Sequence, residues 1–140
     1  MTDDLAAAPA DLAAYPYRHE VRSRWGDMDA LGHLNNVALA RYYEDARVTF
    51  HEAALGGGLR IVLAEITIRY LAETHHPGTY AVGMGVARVG RSSVTHLSGL
   101  FRDGVRVGAC RSVVVHTGPD GPAPLPDDAR ARLARFAVPA

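Results

Sequence analysis

The residues with the most chemical potential lie between positions 25 and 36, in the run WGDMDALGHLNN. Asp27, Asp29 and His33 are side chains that can attack a carbonyl carbon, accept a proton or help to bind a metal ion. Either aspartate can instead have a structural role, since aspartate in a turn commonly accepts hydrogen bonds from backbone N–H groups. No further ligand set accompanies these residues, so we predict no metal site and no organic cofactor. The run predicts a reaction site built on a carboxylate.

A helix is predicted directly after this run, because Asn35 or Asn36 can accept hydrogen bonds from the free N–H groups of a first helical turn. Apolar residues then recur with a period of about 3.6 until the three glycines at 56–58, which provide a stop. The apolar stripe consists of Leu39, Tyr42, Tyr43, Ala46, Phe50 and Ala53. The positive end of the helix dipole would point back at the two aspartates, where it favours negative charge.

Composition and charge narrow the function classes. The 140 residues are 48% hydrophobic without a long apolar run, which indicates one soluble domain and no membrane span. The 15 basic and 15 acidic residues cancel, so no overall field attracts nucleic acid or an anionic membrane. Cys110 is the only cysteine, which excludes disulfides within the chain and thiolate zinc sites. The start of the chain lacks a signal-peptide pattern, so we expect a cytoplasmic protein.

Alternating patterns predict strands over 17–24, 61–71, 80–89, 93–101 and 105–116. In the second of these, the predicted apolar face holds Val62, Ala64, Ile66, Ile68 and Tyr70, opposite Glu65, Thr67 and Arg69. In the third, the small residues Ala81, Gly83, Gly85 and Ala87 share one face and would let another backbone come close. One strand, one long helix and four strands predict an α+β domain in which an antiparallel sheet covers the helix.

The order of elements and two motifs resemble a known family. The run D-x-D-x-x-G-H-x-N-N and the helical YYEDAR look like the hot-dog-fold acyl-CoA thioesterases of the 4-hydroxybenzoyl-CoA thioesterase type, and VGRSSVTHL resembles that family's later strands. This resemblance implies a hot-dog domain over residues 17–118. Outside this domain we expect a flexible tail over residues 1–16 and an extension over 119–140, in which residues 127–136 can form a short helix.

The resemblance also implies roles for particular residues. The second acid of the D-x-D pair is catalytic in the family, and it falls on Asp29. His33 is expected to support Asp29 or the substrate. A backbone N–H of Asn36 or Val37 would hold the carbonyl oxygen as it becomes negative, assisted by the helix dipole. The sequence leaves open whether the carboxylate attacks the thioester or activates water, and it predicts a structural role for Asp27.

Substrate contacts and partners follow from the same resemblance. Arg91 and Arg88 stand where the family places basic residues, which would bind the phosphates of coenzyme A. Tyr43 would line the acyl site, together with Tyr42, Tyr70 and His75. A homodimer or homotetramer is expected, with an acyl-CoA as the small-molecule partner. Two alternatives remain open, a hot-dog hydroxyacyl dehydratase and a binding protein for acyl-CoA or acyl-carrier protein that has no catalytic activity.

Overall fold

The computed structural model of the protein describes residues 4–139. Its elements are β1 (Tyr17–Arg22), α1 (Asn36–Leu55), β2 (Ile61–Tyr70), β3 (Thr79–Val89), β4 (Ser93–Arg102), β5 (Val105–Gly118), β6 (Gly121–Pro122) and α2 (Asp127–Ala134). The sheet has the order β1-β3-β4-β5-β2, with every neighbouring pair antiparallel and β6 paired to β5. The predicted α+β layout, an antiparallel sheet around one long helix, is confirmed.

The main core lies between α1 and one face of the sheet. Tyr42, Ala46 and Phe50 from the predicted stripe are at most 2% exposed, and they belong to the same buried cluster as Val82 and Met84 of β3. Helical periodicity and strand alternation therefore meet in one contact surface, as predicted. Burying each large apolar side chain contributes roughly 1.5 to 3 kcal/mol, so this surface holds the helix in place.

The opposite face of β3 is covered by the ends of the chain. A Cβ atom added to Gly83 would lie 2.6 Å from the ring of Tyr15, and one added to Gly85 would lie 2.5 Å from the side chain of Val138. The predicted close approach over the row of small residues is confirmed. It is made by segments near both ends of the chain, which the sequence pattern could not identify.

The segment that was expected to be a frayed tail packs on this outer face where the structure describes it. Leu5 and Ala8 are buried in a small cluster with Leu97 and Ala109, and the hydroxyl of Tyr15 donates to the carbonyl of Pro9 at 2.8 Å. This packing differs from the expectation for 1–16, because the groove over the small residues gives apolar side chains a place to bury. Residues 1–3 lie outside the described residues, and the domain boundaries stay predictions.

The edge strand β2 departs from the predicted alternation. Its register against β5 shifts between Leu63 and Glu65, and an extra residue of this kind changes which side chains share a face. Leu63, Ile66 and Tyr70 lie opposite Val114, Ser112 and Gly108, on the core face. Val62 and Ala64 therefore do not continue the row of Ile66, Ile68 and Tyr70, and that prediction was wrong. Leu63, Ile66 and Tyr70 remain 44%, 37% and 48% exposed.

The extension after β5 closes the other end of the core. Helix α2 forms where a short helix was predicted, and it buries Ala129 and Leu133. A parallel bridge between Val86 and Ala137 then ties the end of the chain to β3.

Neither α1 nor α2, the two α-helices within residues 4–139, combines the length and apolar character that a membrane-spanning helix requires.

Candidate active site

Asp29 stands at the start of a tight turn that leaves part of its carboxylate available. Its Oδ1 atom accepts hydrogen bonds from the backbone N–H groups of Leu31 at 2.8 Å and His33 at 3.0 Å. Gly32 has a φ of 84°, a conformation that favours glycine and allows the turn to close. Among residues 4–139 no group donates to Oδ2 of this exposed side chain. The turn therefore fixes the orientation of Asp29 through one oxygen and presents the other.

Asp27 is buried, with an exposed fraction of 4%. Its Oδ2 atom accepts from the hydroxyl of Tyr42 at 2.6 Å and from the backbone N–H of Arg24 at 2.9 Å. Burial by itself would raise the pKa of this carboxyl, but these two hydrogen bonds, with the charges of Arg24 and Arg41, lower the pKa below its usual value. The expectation of a structural role is confirmed, since Asp27 ties the turn to α1.

The first turn of α1 supplies unused backbone donors beside Asp29. Asn35 is the N-cap, and its side-chain oxygen accepts from the N–H of Ala38 at 2.8 Å. Its own N–H donates to the carbonyl of Asp27 at 2.8 Å. Within residues 4–139, no acceptor lies in hydrogen-bonding position to the N–H of Asn36 or of Val37, whose side chain is 64% exposed. The positive end of the helix is therefore available to an oxyanion.

A cavity of about 430 Å³ joins these features. Its lining includes Asp29, His33, Asn36, Leu39, Tyr70 and Glu73. The volume falls within the range of about 300 to 1,000 Å³ that is common for small-molecule sites. One wall carries the carboxylate and the helix start, and Leu39 and Tyr70 offer apolar surface. The structure thus brings Asp29, His33 and Asn36 to one cavity.

Another wall of the cavity comes from the segment between β2 and β3, and the predicted site included none of its lining residues 71–74. The backbone N–H of Leu34 donates to the carbonyl of Thr74 at 2.8 Å, and His33 and His75 form an isolated antiparallel bridge. Glu73 therefore reaches His33, with its Oε2 atom 3.5 Å from the Nε2 atom of the imidazole. Glu73 was missed because only this long-range pairing brings it near the D-x-D run.

The other predicted substrate residues lie elsewhere in the protomer. Arg88 belongs to β3 and Arg91 to the turn that follows, whereas the cavity lies next to the segment that enters β3 at Thr79. Arg88 lies nine positions after Thr79 along the strand, which corresponds to roughly 30 Å. Tyr43 is 1% exposed in the core, and its hydroxyl has no partner among the described residues. Within one protomer these three side chains do not line the cavity.

A second group of titratable side chains lies where His51 of α1 meets His96 of β4, with their Nε2 atoms 3.3 Å apart. Burial, followed by the charge of Arg47, lowers the pKa of His51 to about 4. Burial, followed by the charges of His51 and Arg47, lowers the pKa of His96 to about 3. Burial raises the pKa of Cys110 to about 12. All three groups are neutral near neutral pH, and His96 and Cys110 are buried whereas His51 is partly exposed. The predicted role of Cys110 as a buried hydrophobe therefore agrees with its environment.

Comparison with known proteins identifies the family. The model of the thioesterase-like superfamily matches residues 23–133. The chain belongs to the thioesterase-like superfamily. The match spans the D-x-D turn, the long helix and strands β2 to β6, so the hot-dog fold expected from the motifs is confirmed. No curated protein matches the sequence.

Solved structures agree with this superfamily assignment. A Pseudomonas aeruginosa protein is 28% identical, with a TM-score of 0.83, and the match covers 94% of this chain and 99% of the other. A Thermus thermophilus thioesterase in complex with coenzyme A and Zn is 30% identical, with a TM-score of 0.79 and coverage of 85% and 98%. A thioesterase-superfamily protein from a Jannaschia species is 29% identical, with a TM-score of 0.79 and coverage of 90% and 87%. Membership of this superfamily supports a thioester hydrolase in general.

Proposed function

We propose that the protein is an acyl-CoA thioesterase of the 4-hydroxybenzoyl-CoA thioesterase type, which releases a free acid and coenzyme A. One observation carries the proposal: Asp29 lines the same cavity as Asn36, the first residue of α1. Within residues 4–139, neither Oδ2 of Asp29 nor the N–H of Asn36 has a hydrogen-bond partner. A thioester carbonyl needs an activated oxygen nucleophile on one side and hydrogen-bond donors for its developing negative charge on the other. Both lie in the same cavity.

Each step of thioester hydrolysis is assigned to a group of this chain. The carbonyl oxygen of the thioester accepts from the N–H of Asn36 or Val37, and one such donor contributes about 3 to 4 kcal/mol to the transition state. Asp29 either attacks the carbonyl carbon, which forms a mixed anhydride that water then cleaves, or removes a proton from the attacking water. In both routes the tetrahedral intermediate collapses with breakage of the bond from carbon to sulfur, and coenzyme A leaves as a thiolate that then takes a proton from water. His33, whose backbone holds Asp29, supports the carboxylate or the substrate.

Two features support coenzyme A as the carrier of the acyl group. The related Thermus thioesterase is complexed with coenzyme A, and the cavity offers Leu39 and Tyr70 as apolar surface for an acyl group. Arg88 and Arg91 are proposed to bind the phosphates of coenzyme A. Because they lie far from the cavity of their own protomer, this role requires a site formed with a second subunit.

The edge strand β2 supports such a homodimer, or a homotetramer built from two dimers. One edge of β2 is not paired within residues 4–139, and an edge strand of ten residues is a template for pairing with another chain. Leu63, Ile66 and Tyr70 of β2, and Leu71 directly after it, are 37% to 48% exposed. A second copy paired here would cover apolar surface that α1 leaves open. The cytoplasmic location stays a prediction.

The proposal is tested by Asp29→Asn. Asparagine keeps an oxygen that can accept from Leu31 and His33, so the turn should persist while the negative charge is lost. We expect kcat for acyl-CoA hydrolysis to fall about 10²- to 10⁴-fold, measured with a thiol reagent on aliphatic and aromatic acyl-CoAs. Asp45→Asn, an exposed exchange on α1, is the matched control and should keep full activity. Full activity in Asp29→Asn would refute the site.

The same panel separates the alternatives. Hydrolysis supports the thioesterase, whereas loss of water from hydroxyacyl-CoA would identify the dehydratase. Binding without turnover would identify the non-catalytic protein. Single-turnover hydrolysis in heavy-oxygen water tests the nucleophilic route. Label recovered in the carboxyl group of Asp29 shows attack by that carboxylate, because the general-base route puts label only in the released acid.

The role of Arg91 is tested by Arg91→Ala. We expect KM to rise about two- to fivefold for acyl-CoA, since an exposed ion pair contributes up to about 1 kcal/mol, and to stay unchanged for acyl-pantetheine, which lacks the nucleotide phosphates. Arg60→Ala, another exposed arginine, is the control. Equal KM values for Arg91→Ala and the unmodified protein with acyl-CoA would remove Arg91 from the proposed site.

A further inference from the structure

Two histidines and a glutamate converge on one rim of the cavity. His33 and His75 face each other across the bridge that joins the turn after Asp29 to the segment before β3. Glu73 precedes His75 by two residues, which in extended backbone places both side chains on the same side. Donor atoms of His33, Glu73 and His75 lie within 4.8 Å of one another. The pairing of the two backbone segments creates this convergence.

The distances approach those of a metal-binding site. The Oε2 atom of Glu73 lies 3.5 Å from the Nε2 atom of His33 and 3.8 Å from the Nε2 atom of His75. Zinc binds imidazole nitrogen and carboxylate oxygen at about 2.0 to 2.2 Å, so donors around a tetrahedral ion are separated by about 3.3 to 3.5 Å. The side chains of Glu73 and His75 are 73% and 49% exposed. Small rotations of these two side chains can therefore complete the geometry.

We propose that His33, Glu73 and His75 bind a divalent transition-metal ion, for which Zn²⁺ is the best chemical match. Imidazole ligands favour zinc and related transition metals, whereas Mg²⁺ and Ca²⁺ prefer oxygen ligands alone. Three protein ligands leave a fourth position for water or a ligand atom, as in zinc sites that take part in reactions. Because His33 and Glu73 line the cavity with Asp29, that position adjoins the proposed acyl site. Metal binding does not depend on thioester hydrolysis.

The scaffold that carries His75 is held in position. The buried hydroxyl of Tyr80 accepts from the N–H of His75 at 3.0 Å and donates to its carbonyl at 2.7 Å. Arg102 adds a contact from Nη1 to the same carbonyl at 3.4 Å. The backbone of His33 is held by Asp29 on the other side. Two of the three ligands thus sit on backbone that needs no rearrangement to bind an ion, which favours binding.

The test is calorimetric titration of the full chain, prepared without a polyhistidine tag, with ZnCl₂ in the absence of substrate. We expect one ion per chain. Glu73→Gln and His75→Ala should each weaken binding at least about tenfold, because loss of an outer-shell partner alone commonly costs 10- to 100-fold. The matched controls are His19→Ala and Glu52→Gln, which remove a histidine and a glutamate outside the cluster and should bind as the unmodified protein does. Visible spectra with Co²⁺ should change in the same variants.

Two outcomes would overturn the proposal. One is Zn²⁺ binding no stronger than that of a denatured sample. The other is an equal affinity for Zn²⁺ in Glu73→Gln, His75→Ala and the two controls. The first result would show that the cluster consists only of side-chain contacts and holds no metal ion. Glu73 is exposed, so Glu73→Gln is expected to fold, and circular dichroism verifies this. Asp29→Asn should bind Zn²⁺ normally, so a failure of the hydrolase proposal and a failure of the metal site give different results.

Discussion

Asp27 and Asp29 are separated by one residue, yet their carboxylates lie in opposite environments. Asp27 is 4% exposed and accepts from Tyr42 and Arg24. Asp29 is exposed, and only its Oδ1 atom accepts within the described chain. Identical side chains in one loop thus become a structural anchor and a candidate reacting group. The difference teaches that the hydrogen-bond donors around a carboxylate decide its role.

Two consecutive turns of the backbone place Asp27 in the interior and Asp29 at the surface. The 3-10 turn Trp25–Asp27 ends with Asp27 beneath α1, where the hydroxyl of Tyr42 meets it. The next turn is closed by the N–H of Asp29, which donates to the carbonyl of His33 at 2.7 Å, and it directs the side chain to the cavity. Because Asn35 also donates to the carbonyl of Asp27, the buried anchor sets where the helix begins and so where its free N–H groups lie.

The comparison is sharpest when the same exchange is made at both positions. In Asp27→Asn, two buried hydrogen bonds lose a charged acceptor, and bonds to charged groups contribute about 1 kcal/mol more than neutral ones. We therefore expect the free energy of unfolding at neutral pH to fall by about 2 kcal/mol, whereas Asp29→Asn should change it by less than about 0.5 kcal/mol. Urea unfolding measures both. Equal effects would show that the two carboxylates do not differ in structural role.

The structural role of Asp27 also predicts how the free energy of unfolding depends on pH. The folded pKa of Asp27 is lowered, so its charged form stabilises the fold at pH values above about 3.9, the ordinary aspartate value. That stabilisation is lost as the pH falls through the lowered pKa. The stability gap between the unmodified protein and Asp27→Asn should therefore persist from neutral pH to about 4 and narrow only below it. A gap that narrows already near neutral pH would contradict the lowered pKa.

A smaller effect is expected at the helix start. Asn35→Ala removes the side-chain oxygen that caps the N–H of Ala38, and loss of such a cap typically costs about 1 kcal/mol. Because Asn36 and Val37 follow directly, fraying of this turn should also lower kcat while KM changes little. Asn35→Asp, which keeps a capping oxygen, is the control and should retain stability. If Asn35→Ala lowers stability but leaves kcat unchanged, the proposed oxyanion donors lie elsewhere.

Local signals predicted most of the framework. The capping asparagine and the three glycines at 56–58 predicted α1, and alternation predicted the strands to within a few residues. These signals succeed because helix ends and strand faces depend on nearby residues. The extra residue near Ala64 was missed, since a register shift depends on the partner strand. The packing of residues 5–15 was missed because it depends on the space over Gly83.

The sequence by itself determined the acidic turn, the helix that follows it and the strands that cover that helix, because each is encoded by the spacing of neighbouring residues. Only the tertiary structure decided which aspartate is buried and which wall completes the cavity. Glu73 and His75 reach His33 through pairing between segments about 40 residues apart in the chain, and no local pattern records a contact over that separation. The length of β3 separates the cavity from Arg88, near the end of that strand, and from Arg91, in the turn that follows.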